Sequence, residues 1–251
     1  MVDWMSESFF TLSAWVMIVS GVVTMISLLM GFKATYGRYA DAHSKSIPAR
    51  WGWLIQEAPS FLLPASAFWE APNLGCKIII LLMTIHYANR TFIFPIQLKN
   101  PKPTPIMIVI SAFIFCLWNG YLQGFYHAWY YTFPVGHFKQ PITLLGFFLF
   151  FAGMAINLHS DDILRNLRKD GETEYKIPRG GMFEYVSGAN FFGEIIEWFG
   201  FFLVARSLPS AAFAFFTFAN IGPRALQHHQ WYKEKFEDYP QRRKALIPFI
   251  L

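Results

Sequence analysis

Stretches of mostly apolar residues, separated by shorter polar segments, divide this chain from end to end. A helix needs roughly 20 apolar residues to cross the hydrocarbon of a bilayer, and all the stretches but one have about that length. In chain order they are 9–31, 57–70, 74–94, 105–127, 140–159, 188–207 and 209–226. The pattern predicts an all-α, polytopic membrane protein with seven transmembrane helices, the second of which is the shortest.

Lysine and arginine are unevenly distributed among the segments that join these stretches. Cytoplasmic segments of membrane proteins carry the excess of both residues, and here the basic residues gather in alternate segments. The other segments hold only Lys139 and Arg206. The alternation predicts an N-terminus outside and a C-terminus in the cytosol. Asp3 and Glu7 precede the first stretch without any basic residue, so we expect a retained span rather than a cleaved signal peptide.

The composition agrees with a single membrane-embedded domain over 1–251. Hydrophobic residues make up 54% of the chain and charged residues 15%, and the net charge is +5. Cytosolic loops account for that charge, so no nucleic-acid partner is predicted. No obligate protein partner is predicted either. Cys76 and Cys116 both fall inside spans, which excludes a disulfide framework and a cysteine zinc site. We interpret both as packing residues, and no metal is predicted.

Three predicted spans carry polar residues at helical spacing. Ionisable groups are costly in lipid and usually face the interior of the bundle, where they mark functional sites. The stripes consist of Asn157, Asp161 and Arg168, of Asn190, Glu194 and Glu197, and of Arg224, His228 and Tyr232. The alternative is that each residue is a structural hydrogen-bonding partner between helices. Because the stripes recur on three spans, we expect a shared polar cavity.

The predicted topology places most polar residues at one depth. Glu57 begins the second span, His86 and Tyr87 end the third, and the three stripes lie at the same cytosolic side. Asn119 and Gln123 are the exception, since they lie toward the outer part of the fourth span and would line the deep end of a cavity. A cavity open to the cytosol suits a soluble cofactor and a lipid-borne substrate.

The chain lacks the usual nucleotide-binding loops. No G-x-G-x-x-G follows a strand pattern and no Walker lysine loop is present, so a nucleotide would be held by Arg, Asn and Tyr side chains. His228 and His229 are adjacent and would not chelate one metal from one helical face.

Long motifs in the second half resemble the C-terminal signature of steroid 5α-reductases. They are GMAINLHSDDILRNLRKDGETEYKIP at 153–178, PRGGMFEYVSGANFFGEIIEWFG at 178–200 and HHQWYKEKFEDYPQRRKALIPFIL at 228–251. Similarity extends back to NGYLQGFY at 119–126, and more thinly to WLIQEAPSFLLP at 53–64 and IHYANRTFIFP at 85–95. The resemblance implies a seven-helix membrane reductase, with about 1–127 on the substrate side and about 140–251 on the cofactor side.

The resemblance also implies the reaction, a hydride transfer from NADPH to C5 of a 3-oxo-Δ4-steroid followed by protonation at C4. It places Gln56, Glu57 and Tyr87 near the 3-oxo group and Trp53 in the wall of the steroid pocket. Hydride addition to an enone builds negative charge on the carbonyl oxygen, and donors aimed at that oxygen lower the barrier. The Tyr87 hydroxyl can donate directly, whereas Glu57 donates only when protonated.

The family pattern further implies a set of cofactor-binding residues, which largely coincides with the polar stripes. The set is Asn157, Asp161, Arg168, Tyr175, Asn190, Glu194, Arg224, His228 and Tyr232. The two arginines would meet phosphate with planar, charge-assisted hydrogen bonds. Arg243 also matches a family position, and we interpret it as structural. For Trp53, an interfacial membrane anchor is the alternative.

Other functions are also compatible with the sequence. A membrane reductase of a polyprenol, an enoyl-CoA or a ring sterol would share the cofactor stripes, and an isoprenylcysteine-type methyltransferase would bind S-adenosylmethionine instead. A non-enzymatic sterol transporter would be expected to show paired repeats, and the sequence has none. The enzyme would lie in the endoplasmic reticulum membrane of a eukaryote or the inner membrane of a bacterium, with its active site facing the cytosol.

Overall fold

The computed structural model describes residues 3–33, 39, 43–168, 172 and 174–251. Its helices are α1 (Glu7–Leu29), α2 (Ala49–Glu70), α3 (Leu74–Ala88), α4 (Phe94–Gln97), α5 (Ile106–Trp129), α6 (Pro141–Asn166), α7 (Ala189–Ala205) and α8 (Leu208–Lys235). A two-residue antiparallel pair joins β1 (Ser46–Ile47) to β2 (Thr104–Pro105). A π-helical turn spans Asn89–Ile93, and 3₁₀ turns span His137–Lys139 and Gly181–Glu184. The predicted all-α class is confirmed.

Every predicted apolar stretch lies largely within a helix of the structure. Within the described part of the chain, four helical segments are long and apolar enough to cross a membrane, namely Glu7–Leu29, Leu74–Gln97, Ile106–Trp129 and Pro141–Asn166. These indicate a membrane protein. The stretch 57–70 is the second part of the longer helix α2, and 209–226 is the first part of α8.

The chain divides into two compact units. The first contains the residues up to Val16, 33–140 and 205–210, and the second contains 17–32, 141–204 and 211–251.

In the first unit, α2 packs closely against α5. Pro59 and Pro64 lie inside α2, and glycines of α5 face them. A Cβ on Gly120 would lie 2.6 Å from the Pro59 carbonyl oxygen, and one on Gly124 would lie 3.0 Å from the Pro64 Cα. Only glycine permits this approach, because any side chain there would meet the backbone of α2. The Ser60 hydroxyl then donates to the Cys116 carbonyl oxygen across 3.1 Å.

The end of α3 widens into the π turn just before Pro95. Proline has no N–H and cannot bond to the carbonyl four residues back, so the α-helical pattern is interrupted there. Such turns inside helices are frequent at functional sites. Here the turn follows His86 and Tyr87 directly and carries Arg90.

In the second unit, α6 and α7 approach through glycines. A Cβ on Gly153 would lie 2.3 Å from the Glu197 nitrogen, and one on Gly193 would lie 2.5 Å from the Asn157 nitrogen. Gly146 and Gly200 make further close approaches one heptad away, at 2.8 and 2.4 Å. Small residues that let helix backbones meet are the usual means of packing helices in membranes.

The last residues complete the second unit by pairing with the segment before α7. Ser187 N donates to the Lys244 carbonyl oxygen at 2.8 Å, and Lys244 N donates to that of Tyr185 at 2.9 Å. The hydroxyl of Ser187 also lies 2.6 Å from both His229 Nδ1 and the Tyr239 hydroxyl. These bonds attach the C-terminal segment to α8.

Candidate functional site

A hydrogen-bonded carboxyl lies between α2 and α5 in the first unit. Gln56 Nε2 donates to Glu57 Oε1 at 3.0 Å, and the Cys116 thiol donates to Glu57 Oε2 at 3.6 Å. Both carboxyl oxygens therefore accept a hydrogen bond from a neighbour. The close packing of the two helices around Gly120 brings Cys116 to the carboxyl.

Cys116 has more than the packing role that the sequence suggested. It is buried, and its thiol is one of the two donors that orient Glu57. The sequence held a signal for this role, because Cys116, Asn119 and Gln123 follow offsets of 0, 3 and 7 and share one helical face. Sequence reasoning does not single it out, because a cysteine inside a span resembles an apolar packing residue.

Tyr87 is buried on α3, which packs against α2. Its ring lies 5.1 Å from that of His86, edge to face. The two helices thus carry the predicted carbonyl donors, Glu57 and Tyr87, within one compact unit. The hydroxyl of Tyr87 is a hydrogen-bond donor.

Trp53 belongs to an aromatic and cationic cluster. Its ring meets that of Phe94 edge to face at 4.8 Å, and the Arg90 guanidinium lies 4.8 Å from the Trp53 ring centre and 4.4 Å from that of Phe94. Trp53 is half-buried. These contacts fix the orientation of the Trp53 ring.

In the second unit, a chain of hydrogen bonds joins the polar stripes of α6 and α7. Asn157 Nδ2 donates to the Asn190 carbonyl oxygen at 3.0 Å, and Asn190 Nδ2 donates to Asp161 Oδ1 at 3.2 Å. Glu194 lies one turn after Asn190. The close approach at Gly153 and Gly193 makes these bonds possible, because Asn157 and Asn190 stand beside those glycines.

The stripe of α8 contacts α7 at one aromatic residue. Phe191 lies 5.3 Å from the Arg224 guanidinium and 5.4 Å from the His228 ring. Tyr232, a turn later, is buried and stacks on Tyr239 with ring centres 5.4 Å apart. The three predicted positions of this stripe do lie on one helix, which continues to Lys235.

Arg168 is a correction to the predicted stripe of α6. The helix ends at Asn166, whose side chain bonds back to the Asp162 carbonyl oxygen, so Arg168 follows the helix instead of lying on its face. The guanidinium of Arg168 is placed 5.4 Å from the Tyr175 ring, and that ring meets Trp231 of α8 at 5.1 Å. Tertiary contacts therefore bring Arg168 and Tyr175 together.

The candidates thus form two groups, each inside its own unit. Trp53, Gln56, Glu57 and Tyr87 belong to the first unit, and all the cofactor candidates belong to the second. The second group combines guanidinium groups, which bind phosphate, with amides and carboxylates, which bind sugar hydroxyls and carboxamides. The donor set therefore fits a phosphorylated dinucleotide.

Arg243 is buried in the second unit, where its Nη1 donates to the Pro178 carbonyl oxygen at 3.0 Å and its guanidinium lies 5.3 Å from the Tyr239 ring. These contacts fit the structural role inferred from the sequence. Sequence reasoning missed the bonds of Ser187 with His229 and Tyr239, since nothing in their spacing indicates that the three residues meet.

Comparison with known proteins identifies a common family. A family model described as 3-oxo-5-alpha-steroid 4-dehydrogenase matches residues 102–251. The chain is 46% identical to the rat protein 3-oxo-5-alpha-steroid 4-dehydrogenase 1 over 243 residues, which cover 93% of each chain. It is 49% identical to the mouse type 1 protein over 87% of this chain and 88% of that one. With human 3-oxo-5-alpha-steroid 4-dehydrogenase 2 the identity is 42%, over 93% of this chain and 96% of the relative.

Proposed function

Since the chain belongs to the 3-oxo-5-alpha-steroid 4-dehydrogenase family, we propose that it reduces the Δ4 double bond of 3-oxo-Δ4-steroids to 5α-dihydrosteroids with NADPH. The names of its relatives support the reaction, and the apolar helices support a substrate that enters from the bilayer. The observation that carries the mechanism is the Glu57 carboxyl, held between Gln56 and Cys116.

In the proposed mechanism, Glu57 and Tyr87 bind the 3-oxo oxygen of the steroid. NADPH supplies the hydride that C5 receives. Negative charge then develops on the 3-oxo oxygen, where a hydrogen bond from Tyr87 stabilises it. Glu57 contributes a second hydrogen bond when protonated, and its bonds from Gln56 and Cys116 hold the carboxyl in one orientation. The enolate becomes product when C4 accepts a proton, for which water is the expected source.

For the cofactor, we assign the residues of the second unit. Arg168 and Arg224 would bind phosphate groups, and Tyr175 would hold the Arg168 guanidinium in place through its ring. Asn190 and Glu194 would orient the nicotinamide and ribose end, supported by Asn157 and Asp161. His228 and Tyr232 extend the site along α8.

The proposed membrane arrangement has seven spans with the C-terminus and the active site on the cytosolic side. α2 and α8 are about 33 and 42 Å long at 1.5 Å per residue, enough to cross the hydrocarbon. α7 is about 25 Å long, which suits a thinner bilayer such as that of the endoplasmic reticulum. Single glycosylation acceptor sites inserted after Gly136 and after Leu251 test the orientation. We expect modification only after Gly136, and modification after Leu251 would reverse the topology.

The reaction is tested with protein purified in detergent, NADPH, and progesterone or testosterone. We expect NADPH oxidation and a product two mass units heavier with 5α ring stereochemistry. Reduction of a polyprenol, an enoyl-CoA or a ring sterol, with no 5α-dihydrosteroid formed, would overturn the proposed function. Binding of S-adenosylmethionine in place of NADPH would do the same.

A further inference from the structure

A short apolar segment, 247–251, lies on the surface of the second unit and takes no part in the proposed reaction. Phe249 and Ile250 have 78% and 75% of their surface exposed, and Leu251 has 43%. The ring of Phe249 meets that of Tyr185, which is 46% exposed, edge to face at 5.5 Å. Tyr185 and 247–251 together form the apolar patch. Contiguous exposed patches of large apolar side chains mark interaction surfaces.

The residue before this segment indicates the depth of the apolar patch in the proposed membrane arrangement. Leu246 is buried, and a Cβ on Gly222 would lie 3.8 Å from its Cδ2. Gly222 belongs to the predicted span 209–226 and lies four residues before its cytosolic end, which is about 6 Å along the helix axis. The carbonyl oxygen of Ala245 accepts a hydrogen bond from Gly188 N, just before α7, at 2.9 Å. The patch therefore begins beside the cytosolic ends of two predicted spans, within the roughly 5–10 Å to which interfacial segments bury their apolar face.

The backbone of the segment is hydrogen-bonded to itself. Leu246 N and Ile247 N both donate to the Leu251 backbone oxygen at 2.7 Å. Ile250 N and Leu251 N donate to the Ile247 carbonyl oxygen at 3.1 and 3.0 Å. Between them, Phe249 adopts a φ of +66°, which is unfavourable for a residue with a bulky side chain. A turn whose polar backbone groups are paired internally is compatible with apolar surroundings, where unpaired groups are costly.

Basic residues flank the apolar patch. Arg242 is exposed and Lys244 is half-buried, and Lys244 N donates to the Tyr185 carbonyl oxygen at 2.9 Å. The cytosolic surface of a bilayer carries negatively charged lipids, which attract Lys and Arg close to the apolar layer. Tyrosine is also enriched at that level, because its ring is amphipathic. An apolar turn with flanking cations therefore complements a layer of phospholipid.

We propose that the apolar patch inserts into the cytosolic leaflet of the bilayer. Phe249 and Ile250 then lie among the upper acyl chains, and Arg242 and Lys244 lie at the phospholipid phosphates. The inference goes beyond the proposed function. It uses the predicted span 209–226 and does not depend on which substrate the protein reduces.

The collision rates of a nitroxide label test the position of the patch directly. The label is placed at Ile250→Cys in protein reconstituted into nanodiscs of phosphatidylcholine and phosphatidylserine. We expect it to collide more often with lipid-soluble oxygen, and several-fold less often with a water-soluble nickel chelate, than a label at Glu237→Cys. Glu237 is the control, since it is exposed just after α8. Cys76 and Cys116 are buried, and wild-type protein treated with the same reagent measures their background labelling.

Three results would overturn the inference. Equal collision with the nickel chelate at positions 250 and 237 would place the patch in water. Little collision with either reagent at position 250 would show that protein covers the patch. Spin–spin broadening at position 250 that disappears on dilution with unlabelled protein would identify the cover as a second copy of this chain.

A second test places a charge in the patch. Ile250→Asp should lower the melting temperature in nanodiscs by about 2–4 °C, because a carboxylate is costly where lipid surrounds it. The matched control is Val135→Asp, which introduces the same charge at a fully exposed residue of a turn after α5 and should leave the melting temperature unchanged. An unchanged value for Ile250→Asp would contradict insertion. Neither test measures steroid reduction, so failure of the proposed function and failure of this inference are distinguishable.

Discussion

The two compact units hold their candidate side chains in different ways. In the first, Glu57 is positioned by two single contacts, from Gln56 on its own helix and from Cys116 on a helix brought close by Gly120. In the second, Asn157, Asn190 and Asp161 form a continuous chain of hydrogen bonds across two helices.

The candidate residues of the two units also differ in whether the matching family model covers them. The matching family model covers 102–251, which includes every cofactor candidate, whereas Trp53, Gln56, Glu57 and Tyr87 all precede it. We propose that the second unit binds the cofactor and that the first binds the substrate. Substitutions in the two units should therefore damage different steps.

The largest expected effect is a loss of turnover from the first unit. Tyr87→Phe and Glu57→Leu should each lower kcat by about 10²- to 10³-fold, the usual result of removing one donor to a developing oxyanion, while NADPH still binds. Steady-state kinetics and cofactor titration separate the two quantities. Tyr121→Phe is the control, since it removes a hydroxyl that bonds to the Trp4 carbonyl oxygen and should keep near-normal turnover. Normal kcat in both test variants would remove the proposed carbonyl donors.

A loss of stability is expected when a larger side chain is introduced between the packed helices of the second unit. Gly193→Val places side-chain atoms against the Asn157 backbone, where even a Cβ would lie at 2.5 Å, and should destabilise the protein by about 1–3 kcal/mol or more. Gly222→Ala is the control, because its Cβ would make only ordinary contacts, the nearest at 3.6 Å from Phe218. Thermal unfolding in detergent measures both. Equal stability of the two variants would contradict the close approach of α6 and α7.

A selective loss of cofactor affinity is expected from two substitutions in the second unit. Arg168→Ala and Asn190→Ala should each raise the dissociation constant for NADPH about tenfold and leave kcat at saturating NADPH within a few fold. Arg165→Ala is the matched control, since Arg165 lies near the end of α6 and forms an ion pair with the exposed Asp162. If Arg165→Ala weakened the binding of NADPH as much as Arg168→Ala does, the assignment of Arg168 to phosphate binding would be wrong.

The smallest effect concerns pH and the second unit alone. His229 lies past the predicted span 209–226, and burial, followed by the charges of Lys233, Arg243 and Lys244, holds its pKa below the ordinary 6.5. The unfolded chain then binds a proton that the folded protein resists, so stability should decrease as the pH falls below about 6.5.

The fall in melting temperature between pH 7.5 and 5.5 measures this effect. His229→Gln should reduce the fall, since it removes the titrating group. Tyr239→Phe should keep it, because that variant removes only the partner of Ser187. An unchanged pH dependence in His229→Gln would exclude His229 as its source.

The sequence by itself determined the helices and most of the candidate residues. Apolar stretches predicted where helices lie, since burial in lipid or a helix bundle acts on each segment locally. Spacing of 0, 4 and 8 placed Arg224, His228 and Tyr232 on one face of α8, because helical geometry depends only on neighbours in the chain. The motifs of the second half indicated the family.

The tertiary structure alone decided which residues meet. Helical periodicity cannot reveal that Asn190 contacts Asp161, or that the Cys116 thiol reaches Glu57, because those distances depend on how closely two helices approach. Glycines permit this approach, and the need for glycine at those positions becomes evident only when the backbone of the neighbouring helix is known. Arg168 illustrates the same limit. The predicted stripe assumed that the helix continues to Arg168, whereas α6 ends at Asn166. Local patterns therefore determined the elements, and long-range packing determined the contacts that orient the candidate site residues.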